Sequence, residues 1–311
     1  MPEIPFIKPL LTLNRPIWIM GVHDVLSAKI AEQAGFDAVG VQSLQMGFVN
    51  GQPDTGVITP TELLDTVRKI RRSISLPIMV DFEQGFGDVY AAVYWLHEFE
   101  RAGAAALHID DCGLIYKCVF CPPHVPELES MESTCEKIRA LVGERYDENF
   151  MIFGRASSFA CTKFANDQQR REDWVRRSRA YKAAGSDAIF GIAPSLDHAK
   201  FFRQEIEGPM VIIRTLGTQM KTKEDRLEYD DGLMEASVDD LFKLGYQLQC
   251  EPSTLLGVAA NAMLNAARRE RLSGRMIDLQ NEHGNLYDLL NTWMNVPEVI
   301  RIRETYCDPK L

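Results

Sequence analysis

The chain has 311 residues, 46% hydrophobic and 25% charged, ordinary globular values that fit one large domain. A net charge of −10, with no Lys/Arg cluster on any one predicted face, argues against a nucleic-acid partner. No run approaches the roughly 18 apolar residues of a membrane span, and Pro2, Pro5 and Pro9 interrupt the N-terminus where a signal peptide would be continuous.

In chain order, strand-like apolar runs fall at 17–20, 38–42, 78–83, 105–110, 151–155, 188–192, 210–214 and 247–250. Amphipathic stretches lie between them at 25–34, 60–74, 89–102, 133–142, 168–184, 195–206 and 238–244. Gly35, Gly103, Gly185 and Gly245 each stand just past a helical stretch, the usual C-cap preference. Unbroken strand–helix alternation implies a parallel sheet, and eight units imply closure. The expected fold is therefore α/β, a (β/α)8 TIM barrel over residues 1–271. No Ser/Gly linker or composition shift marks a boundary within it. Residues 272–311 read as a C-terminal helical extension, with Leu286, Leu289, Leu290, Trp293 and Met294 on an i, i+3, i+4 stripe that needs the barrel or another subunit to cover it.

The third strand run empties into Asp81-Phe82-Glu83-Gln84-Gly85-Phe86-Gly87. Read as strand, Asp81 and Glu83 at i and i+2 face one point. The fourth run ends in Asp110-Asp111. Acids after strands are often solvated or cap helices, but two strands ending this way at the rim where barrels build their sites suit a hard divalent cation such as Mg2+. Two long connections, 43–59 and 112–131, follow strands at the same rim. Unstructured loops beyond about 12 to 15 residues are usually binding loops or lids.

Gly21-Val22-His23-Asp24, Ala34-Gly35-Phe36-Asp37-Ala38, Gly51-Gln52-Pro53-Asp54, the Asp81 to Gly87 stretch and Leu107-His108-Ile109-Asp110-Asp111 together resemble the isocitrate lyase and phosphoenolpyruvate mutase superfamily, in its order and spacing over about residues 16–270. The resemblance implies a Mg2+-dependent barrel enzyme, with Mn2+ an acceptable substitute, acting on a small anionic 2-oxo or 2-hydroxy acid through an enolate-like intermediate. Such enzymes break or form a C–C bond, or in some members a P–C bond. It also implies exchange of a terminal helix between subunits, hence a homo-oligomer, a tetramer. Position by position, Asp81 resembles the direct metal ligand, while Glu83 and Asp110 stand where the family usually has Asp and Glu, which hold the metal mostly through water. Asp54 resembles the loop acid that touches metal-bound water and substrate. Arg155 resembles the arginine that grips a substrate anion, a task for its planar fork. Gln42-Ser43 occupies the place of a Ser-Gly pair whose amides cradle the substrate, and Thr215 follows the seventh strand in a mutase-like context.

The departures keep alternatives open. Lys117-Cys118 is what remains of the family lyases' loop, whose cysteine protonates the departing enolate; Lys117 would lower the Cys118 pKa. A cysteine in an apolar loop is as readily a small hydrophobe. Cys112, Cys118, Cys121 and His124 could instead bind zinc, which would remove Cys118 as the acid. Ile213 and Leu216 replace polar residues of the lyases, so a less polar pocket is expected. Seven cysteines, an odd count without secretory context, fit a reduced cytoplasmic protein. A carbon–carbon lyase, a P–C bond enzyme and a metabolite-binding barrel without catalysis all remain open at this point.

Overall fold

Eight short strands, each flanked by buried side chains, pair in parallel in the order β1 to β8 and close on themselves. They are β1 (Ile17–Val22), β2 (Ala38–Val41), β3 (Ile78–Asp81), β4 (Ala106–Asp110), β5 (Met151–Arg155), β6 (Ala188–Gly191), β7 (Met210–Ile213) and β8 (Leu248–Glu251). The computed structural model describes residues 4–112, 127–161, 163–214, 232–275, 291 and 293–307. The (β/α)8 barrel expected from the alternation is what forms.

The helices are α1 (Val25–Gln33), α2 (Ser43–Val49), α3 (Pro60–Arg71), α4 (Val89–Arg101), α5 (Met131–Glu144), α6 (Asp167–Ala183), α7 (Leu196–Glu205), α8 (Gly232–Glu235), α9 (Val238–Lys243), α10 (Thr254–Ser273) and α11 (Val296–Tyr306). Most begin on a side-chain cap that satisfies an orphan amide: Asp24 accepts from Ser27 N, Thr59 from Glu62 N, Asp88 from Ala91 N and Asn166 from Gln169 N. Alternation along each strand makes two apolar layers. Ile19, Met79, Phe153, Phe190 and Val211 fill the barrel, whereas Val39, Val80, Leu107, Ile152 and Ile212 pack outward on helices with Leu64, Val67, Leu96 and Phe202.

Three features depart from the expected layout. The connection 43–59 is not structureless, since it opens with α2, which is too short for a period to be read from it. The N-terminal segment is part of the barrel: Ile7 is fully buried against Ile17 and Leu248, and a 3-10 turn, Lys8–Thr12, carries Leu11, whose carbonyl accepts from Gln247 Nε2 at 2.9 Å. Finally, α10 continues for 20 residues after β8 with Leu256 as its sole buried residue, and so leaves little apolar stripe to read.

The chain divides into two compact units, Met1–Leu256 and Gly257–Leu311. The second holds most of α10 together with α11, and exposes Met263, Leu264, Leu272, Val299 and Ile302. Among the described residues no helix is long and apolar enough to cross a membrane.

Candidate metal centre

At the C-terminal rim of the barrel, register sets the third strand's acid beside the fourth strand: Asp81 pairs with His108, and Asp110 pairs with Arg155 of β5. One carboxylate oxygen each from Asp81, Glu83 and Asp110 lies within 4.8 Å of the others, and all three residues are buried. The convergence of Glu83 has a different cause from the strand alternation expected of it. β3 stops at Asp81, and Glu83 sits in a turn closed by Gly85 N donating to Phe82 O at 2.9 Å, with a left-handed φ of 54°. Glycine favours that second turn position, and a side chain held there stores about 1–3 kcal/mol of strain of the kind that concentrates at functional sites. The turn is fixed on both sides: Glu83 N donates to Asp81 Oδ1 at 3.1 Å, and Asp110 N donates to Glu83 O at 2.8 Å.

Around this cluster the remaining rim residues are arranged in two sectors. Ser43, the first residue of α2, donates through Oγ to Asp81 Oδ2 at 3.0 Å and lies 3.1 Å from Asp54 Oδ1, so the 43–59 connection brings Asp54 to the cluster. Gln42 Nε2 points to Cys250 Sγ at 3.3 Å. Arg155 Nη1 is 3.6 Å from Asp110 Oδ2, its guanidinium lies over Phe190 at 6.0 Å, and its buried Nε makes no hydrogen bond among the described residues. The wall from β6 to β8 is apolar by contrast, with Phe190, Ile213 and Cys250 facing inward.

Burial governs the protonation of these groups. Removal from water, with Asp81 and Asp111 close by, pushes Asp110 up against the pull of Arg155. Burial also drives His108 down to about 4 even though its Nδ1 is 3.8 Å from Asp81 Oδ1, so the ring is neutral and stacks on Phe190 at 4.4 Å. Cys250 is pushed up to about 12 by burial and stays a thiol.

A divalent ion fits these residues. The donors are hard oxygens, and three carboxylates crowd a buried space against one guanidinium, an excess of negative charge that a 2+ ion would balance. Asp81, Glu83 and Asp110 would hold it, and exchange of Asp and Glu between the second and third positions preserves that charge. Lys117, Cys118, Cys121, His124 and Thr215 lie outside the described residues. Cys112 is described, and is buried against Ala160 and Leu128.

Two supporting networks escaped the sequence reading. Asp111 points away from the cluster and takes Arg177 Nη1 at 3.0 Å, Tyr181 Oη at 2.5 Å and Ser157 N at 2.9 Å, while Arg177 Nε reaches Asp173 at 2.9 Å. Lys137 of α5, also buried, reaches Glu129 and the Gln84 carbonyl. A signal existed for the lysine: it lies three residues after Thr134 and four before Leu141, on the face of α5 that is otherwise buried.

The chain matches the phosphoenolpyruvate phosphomutase family over residues 6–269 and belongs to that family, within the isocitrate lyase and phosphoenolpyruvate mutase superfamily. It is 30% identical over 219 residues to 2-methylisocitrate lyase of Shewanella oneidensis, across 69% of this chain and 72% of that one. Identity to 2,3-dimethylmalate lyase of Eubacterium barkeri is 28% over 260 residues, 83% and 82% of the two chains. With an oxaloacetate decarboxylase of Rhodopseudomonas palustris it is 35% over 186 residues, 59% and 61%. Among solved structures, phosphoenolpyruvate phosphomutase from Streptomyces platensis subsp. rosaceus superposes with a TM-score of 0.83 at 23% identity over 96% of this chain and 98% of that one. Phosphonopyruvate hydrolase in complex with oxalate and Mg2+ gives 0.79 at 22%, over 96% and 97%. At these identities the structures establish the fold.

Proposed function

We propose that the protein is a Mg2+-dependent lyase that cleaves or forms a C–C bond in a 2-hydroxy or 2-oxo carboxylic acid. The observation that carries this is the buried meeting of Asp81, Glu83 and Asp110 beside Arg155, whose buried Nε makes no hydrogen bond among the described residues. A divalent ion, when bound, supplies positive charge against the negative charge that develops on the acid's oxygens as the bond breaks. The chain's own residues do the rest. Arg155 takes the substrate carboxylate, its Nε and Nη atoms offering a fork. Gln42 and Ser43 flank the same space, and Asp54, tied to it through Ser43, orients water or substrate. The apolar β6–β8 wall accepts an alkyl portion of the acid and keeps water from it. Cys118, with Lys117 beside it, delivers the proton to the departing carbanion. Sequence relatives described as 2-methylisocitrate lyase and 2,3-dimethylmalate lyase support bond cleavage at carbon.

A second reading, chemistry at a P–C bond, is favoured by the family's own description. One experiment addresses both. Purified protein with Mg2+ is incubated with methylisocitrate, dimethylmalate, citramalate, oxaloacetate, phosphonopyruvate and phosphoenolpyruvate, and proton and phosphorus NMR are followed together. Turnover of a carboxylic acid that stops with EDTA is expected; change in the phosphorus signals alone would replace the lyase reading. Cys118→Ser then separates the roles: a loss of roughly a hundredfold or more marks a general acid, full activity marks P–C chemistry, and release of zinc marks a metal loop.

A further inference from the structure

The turn that carries Glu83 is strained, and a strained turn relaxes unless neighbouring groups over-determine it. Its backbone groups show what holds it. Glu83 N and O are taken by Asp81 and Asp110, Gly85 N by Phe82, and the Gln84 carbonyl accepts from Lys137 Nζ at 2.8 Å. Lys137 is 5% exposed and stands on α5, an element that follows β4. Its other contact is with both carboxylate oxygens of Glu129, at 3.0 and 3.1 Å. Glu129 in turn is bound through its main chain, its N donating to Asp111 O at 2.8 Å and its O accepting from Arg177 Nη1 at 2.9 Å. A continuous path therefore runs from the Gln84 carbonyl, next to Glu83, through Lys137 and Glu129 to Asp111, next to Asp110.

We propose that Lys137, clamped by Glu129, is a positioning residue that sets the reach of Glu83 relative to Asp110 and thereby the affinity of the centre for a divalent cation. The proposal rests on the metal reading of the Asp81, Glu83 and Asp110 cluster. Neither Lys137 nor Glu129 contributes an atom to that cluster, so the effect is exerted through the backbone of the turn. Mg2+ demands near-ideal octahedral geometry and keeps several of its waters, so a Glu83 carboxylate free to shift by a few tenths of an ångström loses its hold, direct or through a water, and weakens binding without unfolding anything. Glycine at 85 belongs to the same device: its φ is +90°, and a Cβ there would lie 3.0 Å from Ala92 Cβ and 3.6 Å from Lys137 Cδ, leaving room for the lysine stem and little else.

The test measures metal binding directly, by Mn2+ titration with electron paramagnetic resonance of the free ion and by Mg2+ calorimetry, on wild type, Lys137→Met, Glu129→Gln and Asp81→Asn. Methionine keeps the length of the buried stem and removes the ammonium. Glu129→Gln keeps the shape and weakens only the clamp, and serves where Lys137→Met does not fold. Expected is a loss of affinity of about 10- to 100-fold in Lys137→Met, the range for groups that orient metal ligands, and a smaller loss in Glu129→Gln, with Asp81→Asn abolishing binding. A merely structural lysine would lower the melting temperature in EDTA and leave the dissociation constant of the folded protein unchanged. Wild-type affinity in folded Lys137→Met, or in Glu129→Gln if that alone folds, together with lost binding in Asp81→Asn, overturns the clamp and spares the metal centre. Absence of saturable binding to wild type, or unchanged binding in Asp81→Asn, overturns the metal centre and the clamp with it.

Discussion

Asp81 is held by Ser43 from one side and by the Glu83 amide from the other, so its carboxylate is oriented before any ligand arrives. Asp81→Ala is expected to fold and to retain less than about a tenth of metal-dependent turnover at saturating Mg2+, since loss of a direct ligand costs several kcal/mol; steady-state rates with circular dichroism check both halves. His108 predicts a pH effect. Its folded pKa, about 4, lies below the ordinary 6.5, so the unfolded chain takes up the proton first. The stability that the neutral ring confers is complete above pH 6.5 and is lost as pH falls towards 4, about 3 kcal/mol in all. Raised pKa values at Asp110 and Asp111 act in the opposite sense. The contribution is therefore read as a difference: in metal-free urea titrations, His108→Gln should lose less stability than wild type between pH 6.5 and 4, and the wild-type ring should not titrate by NMR above about pH 5. A ring that titrates near 6.5 would refute the assignment.

At the scale of elements, the β3–α4 turn predicts its own failure mode. Gly85→Ala places a methyl 3.0 Å from Ala92 Cβ at a φ of +90°, and should cost about 1–3 kcal/mol while loosening Mg2+ binding through Glu83. A variant as stable as wild type by thermal melt would show that the turn adapts freely. The same turn illustrates how far sequence reading reaches. Strands and most helices were legible because burial imposes periods of 2 and 3.6 on the side chains, and Asp81, Glu83, Asp110 and Arg155 were legible as polar groups where apolar runs stop. The left-handed backbone at Glu83 was not, because nothing in the residue type announces it. Nor was α2, since seven residues that bury Ser43, Gln45, Met46 and Gly47 show no amphipathic period. The burial of Ile7 was hidden for a related reason: one buried side chain in a proline-broken segment has no period at all.

For the whole molecule, the unexplained surface is the C-terminal unit. Of the seventeen large hydrophobic residues exposed among the described ones, nine fall in Gly257–Leu311: Val258, Met263, Leu264, Leu272, Met294, Val299, Ile300, Ile302 and Tyr306. Val299, Ile300 and Ile302 lie within one turn of α11, and contiguous apolar surface of that kind marks an interaction site. The sequence adds Leu286, Leu289 and Leu290 just upstream. We propose that a second copy of the chain covers this unit, with subunits joined through their C-terminal segments, as the resemblance implies. Full-length protein is then expected to elute with a light-scattering mass that is a multiple of 35.2 kDa, a tetramer by the family pattern. Removal of residues 281–311 should give a smaller species or aggregates, and Ile302→Glu alone should shift the equilibrium towards monomer at low concentration, because a charge in an apolar interface is left without a partner. A strictly monomeric full-length protein would defeat the proposal and leave the exposed face of α11 to some other partner.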